Sequence, residues 1–163
     1  MSKSQKSSKV KIRPFQESDI PHLIKILKLN GQYVYPEIEG PEPMKRVAKC
    51  RAAVFLVAVK EDKPCGLIRA IYDGSRALIH LLSVHPKYQY QGIGSALLEA
   101  VGTELLGRGA PTVSVTVTKQ SVSFWRKRGF EKLPVFLMLK KLKRCSEKLT
   151  DLTPTQQKYM GRE

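Results

Sequence analysis

Acidic residues are scarce in this sequence: 14 Asp and Glu stand against 29 Lys and Arg, a formal charge of +15 over 163 residues. Aromatic residues are also few, at 7% with one tryptophan. Cysteine is rarer still. Cys50, Cys65 and Cys145 are odd in number and show neither CxxC nor histidine-cluster spacing. That argues against a disulfide framework or a zinc site and for ordinary thiols in a reducing compartment. No apolar run approaches the ~18 residues of a membrane span, and the opening MSKSQKSSKVKIR lacks the apolar core of a secretion signal. The expectation is a soluble, cytoplasmic protein without a membrane partner or a metal.

The charge is unevenly spread. Residues 1–13 carry five basic and no acidic groups, 14–118 carry 12 and 10, and 119–163 carry 12 and 4. The excess therefore belongs to the two ends, where it reads first as solvated surface and second as a field for an anionic ligand or a nucleic acid. With 42% hydrophobic residues the chain can bury a sizeable core. We expect a flexible basic segment over 1–9, one domain over 10–142 and a polar tail over 143–163.

Along the domain, VKIRPF (10–15) alternates as a strand, and ESDIPHLIKILKL reads as a helix with Ser18 or Asp19 as cap and Pro21 in the first turn. The stretch NGQYVYPEIEGPEPMKRVAKC has three prolines and the acids Glu37, Glu39 and Glu42; it reads as an irregular loop leading to a short helix near 44–51. Three apolar runs, AVFLVAV, CGLIRAIY and ALIHLLSV, are separated by the turn sequences EDKP and DGSR, the pattern of an antiparallel meander. A helix from Ile93, a strand TVSVTV, a short helix SVSFWRKR and a final apolar segment FEKLPVFLMLKKL complete the order β-α-α-β-β-β-α-β-α-β. This is an α/β arrangement, a mixed, mainly antiparallel central sheet flanked by helices.

The helix that follows the meander opens oddly, with Gly92 and Gly94 in HPKYQYQGIGSALLEA, although glycine costs a helix interior roughly 1 kcal/mol against alanine. A bound anion at the positive end of the helix dipole accounts for them. A P-loop would need Lys and then Ser or Thr after the last glycine, and Ser95 and Ala96 stand there instead. A dinucleotide fingerprint would need Gly or Ala where Leu97 stands.

The run Gln89, Gln91, Gly92, Ile93, Gly94 resembles the acetyl-CoA signature of the GNAT N-acetyltransferases, Arg or Gln followed by x-x-Gly-x-Gly or Ala. Downstream, SVSFWRKRGFEKL resembles that family's later block, an aromatic pair, a basic stretch and Gly-Phe after a strand. The resemblance covers roughly 10–142 and implies the acyl-CoA N-acyltransferase fold and acetyl transfer to a primary amine. It implies that the CoA diphosphate meets the N–H groups of Gln89, Tyr90, Gln91, Gly92, Ile93, Gly94 and Ser95, with side-chain bonds from Gln89 and Ser95. Pantetheine would run along Leu82, Ser83 and Val84, with Thr118, Ser121, Phe124 and Trp125 on its other side. Thr118 stands where many members carry asparagine, and Tyr90 where glycine is frequent.

The same resemblance assigns the base to His80, at the position of the family's strand glutamate, and carbonyl polarisation to the Val84 N–H. An imidazole with a pKa near ~6.5 can accept a proton at neutral pH, and a partly buried structural histidine is the alternative reading. His85 reads as a turn residue and His22 as surface or acceptor lining. Trp125 replaces the tyrosine that serves many relatives as acid, and an indole cannot donate in that way. Water, or no dedicated acid, then suffices. The acceptor side would be lined by Tyr33, Tyr35, Glu37 and Glu39, with Glu42 nearby, which suits a protein N-terminus, a lysine or a small cationic amine. A CoA-binding regulatory module, and a nucleic-acid-associated acetyltransferase using its basic ends, remain open alternatives; a homodimer is compatible with all of them.

Overall fold

In the computed structural model, residues 9–140 and 142 are described. Strands β1 (Lys11–Pro14), β2 (Ala53–Lys60), β3 (Lys63–Tyr72), β4 (Ala77–Val84) and β5 (Val113–Val115) form one sheet in the order β1-β2-β3-β4-β5. The first four are antiparallel to their neighbours, and β5 is parallel to β4. The expected meander is thus β2-β3-β4. Its first turn puts Glu61 and Asp62 at positive φ between the paired Lys60 and Lys63, a two-residue hairpin. In the second, the Asp73 carboxylate accepts from the N–H groups of Ser75 and Arg76, and those bonds hold its pKa below the usual range.

Burial on β3 is almost continuous from Cys65 to Ala70 because both faces of the sheet are covered. On one face, Ile20, Leu23, Ile26 and Leu27 of α1 (Ile20–Leu29) and Met44 of α3 (Pro41–Lys49) pack with Phe55, Val57, Leu67 and Leu81. The other face receives α4 (Ile93–Gly107) through Ile93, Leu97, Val101 and Leu105. Gly66 permits that contact. A Cβ there would stand 3.1 Å from Leu97 Cδ1 and 3.1 Å from the Ser83 carbonyl, so a bare backbone lets the helix lie on β3.

Several expectations need correction. Asp19 stands at the α1 N-cap position, yet its carboxylate serves the preceding turn: it accepts from the Gln16 N–H at 2.8 Å and, two-pronged, from the Arg13 guanidinium at 2.8 and 2.7 Å. The proline-rich stretch is not irregular. Pro36 and Pro41 each occupy a first helical turn, where a missing N–H costs nothing, and they start α2 (Pro36–Glu39) and α3. The strand expected over TVSVTV is only β5. No strand forms among the described residues of 130–142, where Val135, Phe136, Leu137 and Met138 are exposed. An apolar run specifies a strand only where an edge pairs with it.

The chain divides between Val115 and Thr116 into two compact units. In the second, α5 (Val122–Arg126) presents Trp125 edge-on to both Phe124 and Phe130, with ring centroids 5.3 and 5.1 Å away. The Arg128 guanidinium lies 3.5 Å from the Phe124 ring and donates to the Phe124 carbonyl. Most of the basic N-terminal segment, the polar tail and Cys145 lie outside the described residues. Cys65 is buried and donates to the Ala58 carbonyl, and burial pushes its thiol pKa up. No helix among the described residues is long and apolar enough to cross a membrane.

Candidate active site

β4 has eight residues, but β5 pairs only with Ala77, Leu78 and Ile79. From His80 onward β5 no longer lines that edge of β4. The His85 N–H bonds the Cys65 carbonyl on the β3 side, so by alternation Leu82 and Val84 turn their backbone groups to the opposite, unpaired edge. Ser83 faces β3, and its buried hydroxyl accepts from Asn30 Nδ2 at 2.7 Å. The edge carbonyls are already bonded: Leu82 accepts from Gln32, and Val84 from Asn30 at 2.9 Å and Gln89 at 3.0 Å. What the edge offers a ligand is therefore its N–H groups.

His80 stands at an irregularity. Arg69 pairs with Leu81 and Ala70 with Ile79, which leaves His80 as an extra residue in β4, a β-bulge beside the point where β5 ends. His80 is exposed, yet enough protein crowds the imidazole that desolvation, aided by the Arg69 charge, lowers its pKa from the ordinary 6.5. The ring is neutral at physiological pH.

After β4, His85 begins a tight turn, its Nδ1 accepting from the Lys87 N–H at 3.1 Å, as expected of a turn residue. Gln89 is half-buried and spends its amide inward, on the Val84 carbonyl and on Asn30 Oδ1 at 3.2 Å, so it braces the loop. Tyr90 is fully exposed at φ 60°. Gly92, at φ 81°, is the N-cap of α4 and has nothing within 4 Å of where a Cβ would stand. No side chain caps α4 and no acid occupies its first turn. The first N–H groups of the helix, those of Ile93 and Gly94, come before any turn of it that could accept from them. Gln91 accepts from Lys60 Nζ at 3.1 Å, and Lys60 and Lys87 both lie over the Tyr88 ring. Uncapped donors, open space above a glycine and two nearby cations suit a diphosphate.

The residues expected to line the acceptor side are partly engaged elsewhere. Tyr33 packs against the core beneath Lys28, and the Tyr35 carbonyl starts α2 by accepting from Ile38 and Glu39. Glu39 is paired with Arg69, a residue only 6% exposed, and Glu42 with Lys45. Glu37 is exposed and has no ion pair among the described residues. Thr118, Ser121, Phe124 and Trp125 fall in the second unit, where Thr118 Oγ1 and Ser121 Oγ lie 3.2 Å apart. Sequence reasoning missed Arg69, Asn30, Gln32 and Lys60. The signal for Arg69 was a lone charge inside the apolar run CGLIRAIY; the two amides fall in the stretch that reads as an irregular loop.

A family model described as an acetyltransferase (GNAT) domain matches residues 51–132, half of the chain. The chain belongs to the GNAT acetyltransferase family. This N-acetyltransferase uses acetyl-CoA as its cosubstrate. Its fold is shared by PaiA N-acetyltransferase from Thermoplasma acidophilum, in complex with coenzyme A (20% identity over 78% of this chain and 93% of that one, TM-score 0.72). It is shared also by a transcriptional regulator from Bacillus halodurans C-125 (22% identity, 82% and 100%, TM-score 0.70) and by Ard1 from Thermoplasma volcanium (22%, 75% and 82%, TM-score 0.65). The acetyltransferase thus combines a parted strand edge and an uncapped helix start, consecutive in the chain.

Proposed function

We propose that this acetyltransferase transfers acetyl directly to a primary amine, with His80 as the base and the β4 edge and α4 start as the acetyl-CoA site. Acetyl-CoA supplies a thioester whose carbonyl carbon an uncharged amine attacks, forming a C–N bond as the C–S bond breaks. The N–H groups of Ile93 and Gly94 would hold the diphosphate, Gly92 leaving room for it, and the edge N–H groups of Leu82 and Val84 would fix the pantetheine arm or polarise the carbonyl. His80 takes the proton that the amine sheds. Its neutral state at physiological pH supports that role, since a protonated imidazole accepts nothing. The Trp125 indole N–H is too weak an acid to protonate the departing thiolate, which water protonates.

The observation that carries the reading is the position of His80: the bulged residue of β4, next to the unpaired edge, with a lowered pKa. For the acceptor, Glu37 is the acid of the loop left to attract a cation, and a protein N-terminus, a lysine or a small cationic amine all suit it. The test is thiol release from acetyl-CoA against a panel of peptide N-termini, lysine peptides and polyamines, with calorimetry of acetyl-CoA. His80→Ala should keep the acetyl-CoA affinity and lose about 100-fold or more in kcat. Full turnover in that variant refutes the base.

A further inference from the structure

Arg69 is an expensive residue to keep. It lies in the middle of the central strand, 6% exposed, opposite Phe55 on one side and Leu81 on the other, both core residues. A charge in such a place is tolerated only when it is paired, and an apolar side chain of similar volume commonly serves stability as well or better. Its guanidinium lies 5.8 Å from the Phe55 ring centroid, and Phe55 is itself stacked on Phe15 at 4.4 Å. Among the described residues, the one carboxylate that reaches it comes from 30 residues earlier in the chain, Glu39 of the four-residue helix α2. None of the residues of α2 is buried, and the helix otherwise packs against α3. On the other side of Arg69 is the bulge that carries His80.

We propose that Arg69 is a positioning residue for acetyl transfer: it clamps α2 to the sheet through Glu39 and sets the charge that the bulged His80 meets. The groups facing His80 support this. From β3 the charge acting on it is that of Arg69, which is ion-paired with Glu39 of α2. The flanking β5 carries only Val113, Ser114 and Val115. The side chains reaching β4 from the end of α1 are the neutral amides of Asn30 and Gln32, and α4 turns its apolar residues to the sheet. One ion pair therefore couples the fixing of the acceptor loop to the protonation of the base. The inference rests on the reading of His80 as base and of the α2 region as acceptor side.

The test of the clamp needs no acceptor; only the turnover of His80→Ala does. The imidazole titrations of His22, His80 and His85 are followed by NMR in the full chain, with His80→Ala identifying the resonance, and amide hydrogen exchange is measured over 35–40. Arg69→Met should raise the His80 midpoint towards 6.5 and speed exchange over 35–40 about tenfold or more. Arg69→Lys should restore the midpoint, because the charge is kept, but not the protection, because the planar guanidinium that donates from Nη2 to Glu39 is replaced by a flexible ammonium. Glu39→Gln should move the midpoint the opposite way, downward, and also loosen α2. A loss of packing alone would not give shifts of opposite sign. If Arg69→Met does not fold, Arg69→Lys and Glu39→Gln carry the test. An unmoved midpoint and unchanged exchange in these variants overturn the clamp while leaving the base intact. Turnover that survives His80→Ala overturns the base and not the clamp.

Discussion

Substitution of Gly92 separates what the residue does for the fold from what it does for the cosubstrate. At φ 81° a side chain is strained, and an L-residue in the left-handed region costs roughly 1–2 kcal/mol. Nothing lies within 4 Å of the missing Cβ, so no clash adds to that figure. Gly92→Ala should therefore lower stability by about 1–2 kcal/mol, a fall in Tm of about 2–8 °C for a chain of this length. Asparagine adopts the left-handed region far more readily, so Gly92→Asn should lose only about 0.5 kcal/mol or less. Binding should not follow the same order. Either side chain fills the space over the first turn of α4, where a diphosphate would reach the backbone donors. A hydrogen bond to a charged group contributes about 1.5–3 kcal/mol, so loss of one weakens acetyl-CoA by about 10- to 150-fold. Thermal melts and calorimetry with acetyl-CoA on both variants make the comparison. Asparagine restoring both stability and affinity would refute the close approach at Gly92 and leave only a turn requirement.

Three further outcomes follow from the same geometry. Because the folded-state pKa of His80 lies below its unfolded value near 6.5, the unfolded chain binds the proton more readily. The stability linked to His80 is therefore full above pH 6.5 and declines as pH falls through that value towards the lowered pKa; His80→Gln should flatten this part of a stability profile measured by denaturant titration. Gly66→Ala should destabilise by about 1–3 kcal/mol in the same titration, because one of the two atoms 3.1 Å from its Cβ is the Ser83 backbone carbonyl, which cannot turn away as a side chain can. Asn30→Ala removes two donations to β4 and one partner of Gln89, and should cost about 1–3 kcal/mol and weaken acetyl-CoA in calorimetry, whereas a purely local role would leave affinity unchanged.

The features legible in the sequence are those written within a dozen or so neighbouring residues. The meander shows itself by three apolar runs between turn dipeptides, and α4 by its apolar stripe and its glycines. The short helix α2 and the first turn of α3 were hidden by prolines that break a helix interior but start a first turn, and the two roles look alike until the preceding residue's conformation is known. The missing members of the site all act across long separations. Asn30 reaches Ser83 and Val84 over more than 50 residues, and Arg69 reaches Glu39 over 30. Nothing in the neighbours of either residue specifies its partner.

The difference in length between β4 and β5 links these separate observations. Had β5 paired with all eight residues of β4, the edge groups of Leu82 and Val84 would have been consumed in the ladder and His80 would have been an ordinary sheet residue. β5 stops at Val115, and the bulge falls immediately beyond its last partner, Ile79. An edge that ends its pairing in the sheet would ordinarily invite another strand. Here the carbonyls of that edge are taken by Gln32, Asn30 and Gln89, so a further strand would find donors without acceptors. That asymmetry favours a ligand that accepts hydrogen bonds along the edge, as the amide carbonyls of a pantetheine arm do, over one that must exchange them in both directions.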